Sequence, residues 1–192
     1  MNRDDKRNRQ RLAEIILERA FKYSENPPFT LASGRTSPYY FNCKPVTLDP
    51  EGMNLIGHIL FDMVAGSGVT AAGGLTLGAD PLANALAVIS FQRGNPIKSF
   101  TVRKETKGHG TKSRIEGAVK PGEKVVILDD VITTGGSTIA AIESVRVEGL
   151  IVDRVIALID REEGGRENIQ KFVGRVEAVF KRTEIMTLYR KD

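Results

Sequence analysis

The sequence predicts an α/β fold: an open, mostly parallel sheet with helices on both faces, in a single domain over residues 1–192. A small N-terminal unit over about residues 1–48 precedes a core over about 49–192. Three observations carry this. Beyond residue 50, apolar runs of strand length alternate with longer amphipathic runs, the pattern of parallel strands joined by helical crossovers. The run Val125-Val126-Ile127-Leu128 is apolar without alternation and β-branched at its start, which suits a strand buried on both faces. Asp129 and Asp130 then fall at its carboxyl end, followed by a loop of small residues that opens a helix. Open α/β sheets bind ligands at that end of their strands.

Taken in order, residues 9–23 read as an amphipathic helix with Leu12, Ile15, Ile16, Ala20 and Tyr23 near one face, stopped by Pro27-Pro28. Residues 29–41 alternate around Ser33-Gly34 and predict a hairpin. Asp49-Pro50 is an N-cap followed by proline at the first helical position, and Met53, Ile56, Leu60 and Met63 carry that helix to Gly66. A short strand over 69–73, a glycine-bounded loop over 74–78, a helix from Asp80-Pro81 and a strand over 97–102 follow. Residues 103–114 are polar and punctuated by glycine, so a mobile loop is expected there. Pro121-Gly122 turns into the central strand. The helix after it is expected to be capped by Ser137 or Thr138 and to stop at Gly149. A strand over 152–159, a loop over 160–165, a short helix over 166–172 and a last strand over 176–180 complete the chain. The predicted strand ends carry Arg103, Asp129-Asp130 and Asp160-Arg161, which should converge on one face.

A 41% hydrophobic composition can bury a real core, and 27% charged residues argue against disorder. No apolar run reaches the length of a membrane span, and the opening residues lack the apolar segment of a signal peptide, so a soluble cytoplasmic protein is expected. The single cysteine, Cys43, excludes an internal disulfide. The net charge of +4 lies partly in the N-terminal arm and partly in residues 103–114. No nucleic-acid-binding signature accompanies it, and a basic loop beside an anion site fits a polyphosphate substrate better.

The stretch Asp129-Asp130-Val131-Ile132-Thr133-Thr134-Gly135-Gly136-Ser137 offers two carboxylates, hydroxyls and unhindered amides at a helix N-terminus. That combination suits a sugar phosphate. A P-loop would need a lysine after the glycines and a dinucleotide fold a Gly-x-Gly-x-x-Gly; neither is present. The segment resembles the signature of the type I phosphoribosyltransferases, which bind 5-phosphoribosyl 1-pyrophosphate. The resemblance implies that the two acids approach the ribose hydroxyls and that the following loop wraps the 5-phosphate.

Two further segments narrow the resemblance to the orotate phosphoribosyltransferases. Arg103-Lys104-Glu105-Thr106-Lys107-Gly108-His109 is similar to that family's catalytic loop, Arg-Lys-x-x-Lys-x-His. Carried over, Arg103, Lys104, Lys107 and His109 would contact the pyrophosphate, and the loop would close over the site of a neighbouring subunit, implying a homodimer. Residues 29–41 resemble the family's hood over the base, which places Tyr40 and Phe41 near the pyrimidine ring, partly through backbone contacts. The resemblance also gives Arg161, in Asp-Arg-x-x-Gly-Gly, the orotate carboxylate, which a guanidinium matches in a two-pronged pair, and makes Thr133 a second orotate contact. By its sequence neighbours alone, Arg161 could equally pair with Asp160, Glu162 or Glu163.

Two positions depart from the common pattern: Ala32 stands where a lysine is frequent, and residues 74–81 replace a Gly-Pro-x-Tyr-Lys-like loop. Fewer cations then face the diphosphate, and backbone amides of residues 77–79 are candidates to substitute. His58 reads as structural. The implied activity is transfer of phosphoribose to orotate, with Lys107, His109, Asp129 and Asp130 at the chemistry. Mg²⁺ would be carried in by the substrate rather than held by protein ligands. A purine phosphoribosyltransferase and a non-catalytic sensor of the sugar donor acting through nucleic acid remain the alternatives.

Overall fold

In the computed structural model, which describes residues 3–30, 36–104 and 113–190, the chain opens with helix α1 (Arg3–Arg19). Its stripe of Leu12, Ile15 and Ile16 is fully buried, as the helical spacing requires. The helix does not continue to residue 23. Four short strands follow: β1 (Phe21–Tyr23), β2 (Phe29–Thr30), β3 (Thr36–Ser37) and β4 (Tyr39–Phe41). β1 pairs antiparallel with β4, which stacks Phe21 on Phe41 at 5.0 Å and Tyr23 on Tyr39 at 5.4 Å between ring centroids. Those cross-strand aromatic contacts exist only if the chain leaves the helix after Ala20, and they outweigh the helical periodicity that includes Tyr23. β2 and β3 form the expected hairpin, with Phe29 opposite Ser37; its turn at residues 33–34, and Ala32, lie outside the described residues.

Helix α2 (Lys44–Thr47), a single turn absent from the sequence prediction, leads to α3 (Pro50–Val64). The Asp49 carboxylate caps α3 by accepting from the amides of Glu51 at 2.9 Å and Gly52 at 3.1 Å, as expected. His58 ends on Arg93 (2.8 Å), in keeping with a structural role. The core then runs β5 (Ala71–Leu75), α4 (Asp80–Gln92), β6 (Lys98–Val102), β7 (Ile115–Glu116), β8 (Lys124–Ile132), α5 (Gly136–Val147) and β9 (Ile151–Asp160). It closes with α6 (Gly165–Gln170), β10 (Val176–Lys181) and α7 (Arg182–Tyr189). β7 and α7 are the other two elements that the sequence prediction omits. β7 is two residues long, too short for a pattern, and α7 buries just Ile185 and Met186, too few to set a helical period.

The sheet order is β10-β9-β8-β5-β6-β7, parallel throughout except for β7. Alternate residues of the apolar strands serve opposite faces. Val126, Leu128, Ile156 and Leu158 join α1, α3, α4 and α7 in one core, while Val125, Ile127, Val155 and Ala157 join α5 and α6 in the other. This is why the central run shows no polar alternation. From β5 the chain proceeds outward through β6 to β7; from β8 it proceeds the opposite way through β9 to β10. The reversal falls between β5 and β8, which are neighbours, and a crevice is expected beyond the carboxyl ends of those two strands.

Candidate active site

β8 is longer than the apolar run suggests. Asp129 and Asp130 lie within it rather than after it, because the strand stays paired with β9 until Ile132 meets Asp160. Asp129 is 8% exposed, and its Oδ2 accepts from Ser137 Oγ at 2.9 Å and Thr138 Oγ1 at 2.6 Å. Neither hydroxyl caps α5, which corrects the sequence expectation. Gly135, at φ 86°, occupies the cap position with a conformation that disfavours any side chain, and the hydroxyls turn to the buried acid instead. Burial pushes the Asp129 carboxyl up to about 6; the charge of Asp130 adds to the rise, and the hydroxyls of Thr138 and Ser137 oppose it. Asp130 is half-buried and accepts from the amide of Val131 at 2.9 Å.

The loop after β8 is pinned from below. Ile132 is buried in the core, so only its backbone is open to a ligand, and Val131 packs against the opposite core. Asn168 Nδ2 donates to the carbonyl of Thr134 at 3.1 Å. Gly165 lies directly under the loop: a Cβ there would sit 2.5 Å from the Thr133 carbonyl and 2.5 Å from Ile132 Cγ2. Gly165→Ala is therefore expected to cost roughly 1–3 kcal/mol in a denaturant titration, since the backbone must move to admit the methyl. An unchanged midpoint would mean the loop yields freely. The amides of Gly136, Ser137 and Thr138 open α5 ahead of its first intrahelical bond, Ile139 N–H to Gly135 C=O, and so suit an anion.

The loop after β5 faces these acids across the crevice. A Cβ on Gly78 would lie 2.6 Å from Asp130 Oδ1. Asp80, a residue the sequence reading used only as a helix start, holds this loop by accepting from Thr76 Oγ1 at 2.6 Å and Thr101 Oγ1 at 2.8 Å. The Ala79 amide bonds to the Leu75 carbonyl at 3.3 Å, which removes it from the candidate amides and leaves those of Leu77 and Gly78. At the end of β6, the Arg103 amide donates to the Arg114 carbonyl, and Arg114 returns bonds to the carbonyls of Arg103 and Lys104, so the two ends of the basic segment are tied together. Arg103 also lies 3.5 Å from Glu116. Lys104 is exposed; Lys107 and His109, with the mobile loop expected around them, lie outside the described residues.

Arg161 follows β9 and is 5% exposed. Its amide donates to the Ile132 carbonyl at 3.0 Å, which fixes it beside Thr133. Its guanidinium meets Glu163 at 2.7 Å, Ser37 Oγ at 3.2 Å and the Tyr39 carbonyl at 3.4 Å, so the N-terminal hairpin and the sheet edge share this side chain. Tyr40 stacks on Phe29 at 5.5 Å and is partly exposed, whereas the ring of Phe41 is buried on Phe21. Arg103, the Asp129-Asp130 pair and Arg161 thus stand at the carboxyl edge of one parallel sheet. Sequence reasoning missed the roles of Thr138 and Ser37 and the whole of α7, and left Glu163 open as one of three possible partners of Arg161. Only Thr138 carried a local signal, two residues after a glycine pair.

No family model matches the chain. It is 49% identical to an orotate phosphoribosyltransferase of Aquifex aeolicus over 93% of this chain and 97% of that protein. It is 44% identical to one of Nostoc over 95% of this chain and 87% of that protein. Among solved structures, orotate phosphoribosyltransferase of Mycobacterium tuberculosis in complex with 5-phospho-α-D-ribosyl 1-diphosphate superposes with a TM-score of 0.76 at 32% identity, covering 93% of this chain and 98% of that one. The enzyme of Aeropyrum pernix gives a TM-score of 0.76 at 30% identity over 94% and 99%. An adenine phosphoribosyltransferase of Leishmania donovani, 16% identical with a TM-score of 0.61, shares the fold alone. With similarity of this extent along nearly its whole length, the chain belongs to the orotate phosphoribosyltransferase family.

Proposed function

We propose that this chain transfers the 5-phosphoribosyl group from phosphoribosyl pyrophosphate to orotate, giving orotidine 5-monophosphate and pyrophosphate, as a cytoplasmic step of pyrimidine synthesis. The observation that supports the reading is the bond from the Arg161 amide to the Ile132 carbonyl, which ties the backbone of Arg161 to the start of the loop at Thr133. Asp129 and Asp130 accept from the ribose hydroxyls, and their charge favours the cationic ribosyl centre that develops as the C1–diphosphate bond breaks. The 5-phosphate takes the amides of residues 133–137 and the hydroxyls of Thr133 and Thr134. Orotate lies between Thr133, Arg161 and the hood at Tyr40 and Phe41. Its N1 forms the new bond to C1.

Arg103, Lys104, Lys107 and His109 neutralise the departing diphosphate, with the basic segment reaching the site of a second subunit in a homodimer. Among the described residues no three His, Cys, Asp or Glu side chains gather as a cation cage. Two adjacent carboxylates do fit a hard cation that brings its remaining oxygen ligands with it. Asp129 and Asp130 would be the carboxylates facing Mg²⁺ brought in with the donor, and the ion would supply positive charge to the leaving group.

The test is loss of orotate ultraviolet absorbance with the sugar donor and Mg²⁺, with hypoxanthine, guanine and adenine run alongside. Consumption of orotate that needs both donor and metal supports the reading. Turnover of a purine alone would overturn the assignment of the hood and Arg161, and donor binding without turnover of any base would favour a sensor. Lys107→Ala is expected to lower turnover by on the order of hundredfold while changing orotate affinity little. An unchanged rate would remove Lys107 from the chemistry.

A further inference from the structure

Glu162 is the one non-glycine residue with a positive φ among the described residues, at 56°. A left-handed glutamate is uncommon and costs on the order of 1 kcal/mol or more, so something must hold it. Three contacts do. Its own amide donates to Asp160 Oδ1 at 2.8 Å. Its carboxylate accepts from the Thr183 amide at 2.9 Å and the Thr183 hydroxyl at 3.1 Å, at the first turn of α7, where orphan amides and the helix dipole favour a carboxylate. Arg182 Nε lies 3.9 Å from the same carboxylate. The consequence falls on the neighbours. With Glu162 turned to α7, the flanking Arg161 and Glu163 meet each other at 2.7 Å, and Arg161 reaches Ser37 and Tyr39 of the hood.

α7 grips that hood as well. The Arg182 guanidinium stacks on the Tyr39 ring at 4.7 Å, and Tyr189 packs on Phe21 and Tyr23 at 5.4 and 5.9 Å. One helix therefore touches both the arginine loop and the N-terminal strands that the proposed function assigns to the orotate side of the site.

We propose that Glu162 is a positioning residue for orotate: by fastening its strained backbone to the start of α7, it aims the Arg161 guanidinium at the hood and sets orotate affinity without contacting substrate. The inference rests on the reading of Arg161 as the orotate-binding residue. It predicts a split that simple destabilisation does not produce, because only one of the two substrates depends on Arg161.

The experiment is steady-state kinetics of the full chain with orotate and the sugar donor varied separately, for Glu162→Ala, Glu162→Gln, Thr183→Val and Arg161→Ala, each run below its melting transition. Glu162→Ala is expected to raise the KM for orotate about tenfold and leave the KM for the donor within about twofold. Glu162→Gln, whose amide oxygen still accepts from Thr183, is expected to recover most of the loss. Thr183→Val, which keeps the amide and removes one hydroxyl, should give a smaller rise of about threefold. The inference is overturned if Arg161→Ala raises the orotate KM while Glu162→Ala leaves it unchanged, or if Glu162→Ala raises both KM values alike. An unchanged orotate KM in Arg161→Ala would instead overturn the reading of Arg161, and the positioning role with it.

Discussion

Asp129→Asn is expected to raise the melting temperature near pH 8 while cutting turnover by on the order of hundredfold. Both effects have one cause. The Asp129 carboxyl stands at about 6 instead of its ordinary 3.8 because the strand buries it. A folded state that holds its proton longer than the unfolded chain is most favoured at low pH, and this contribution is lost as pH rises from about 4 to about 6. The shift corresponds to roughly 3 kcal/mol set against folding at neutral pH. Asparagine removes the charge and keeps an oxygen for Ser137 and Thr138, so part of that energy should return, a rise of roughly 2–6 °C for a chain of this size. At pH 4.5 the gain should shrink, since the wild-type acid is then largely protonated. Thermal melts of both proteins at pH 4.5 and 8 check this. A difference in melting temperature that does not change with pH would show that the buried charge is not what opposes folding.

Arg161→Ala is expected to raise the KM for orotate by about hundredfold and leave the KM for the sugar donor nearly unchanged. A buried charge-assisted pair is worth about 2–5 kcal/mol when one partner is truncated. Glu163 already occupies part of the guanidinium, yet an arginine has five N–H donors and can hold a second carboxylate without releasing the first. Arg161→Lys should restore little, because an ammonium lacks the planar fork that matches a carboxylate in a two-pronged pair. Orotate titrations by kinetics or calorimetry measure the effect. Equal losses for both substrates would assign Arg161 to the integrity of the sheet edge instead.

The elements read most accurately were those whose signal is local. α3 announces itself by Asp49-Pro50 and its periodic apolar face, and β8 by an uninterrupted apolar run. The errors arose where partners distant in sequence decide. β1 has the composition of a helix end and becomes a strand because Phe41 and Tyr39 lie beside it. Ser137 and Thr138 have the chemistry of caps, but a buried carboxylate eight and nine residues away takes them. α7 carries little apolar periodicity, since much of its contribution is polar and aromatic contact made with residues 21–39 and 162.

What the sequence by itself determined is the alternation of strands and helices, the placing of the acids and the small-residue loop at the end of β8, and the presence of Arg161 after β9. Those follow from periodicity and turn chemistry, which act within a few residues. Only the tertiary structure decided that β5 and β8 are neighbours with the crevice between them, that Asp129 is buried enough to titrate near 6, and that Arg161 is shared between Glu163, Ser37 and Tyr39. The strand order and the contacts of Arg161 with the hood depend on residues that meet across 54 to 124 positions of chain, and burial and strand order are properties of that meeting rather than of any segment alone.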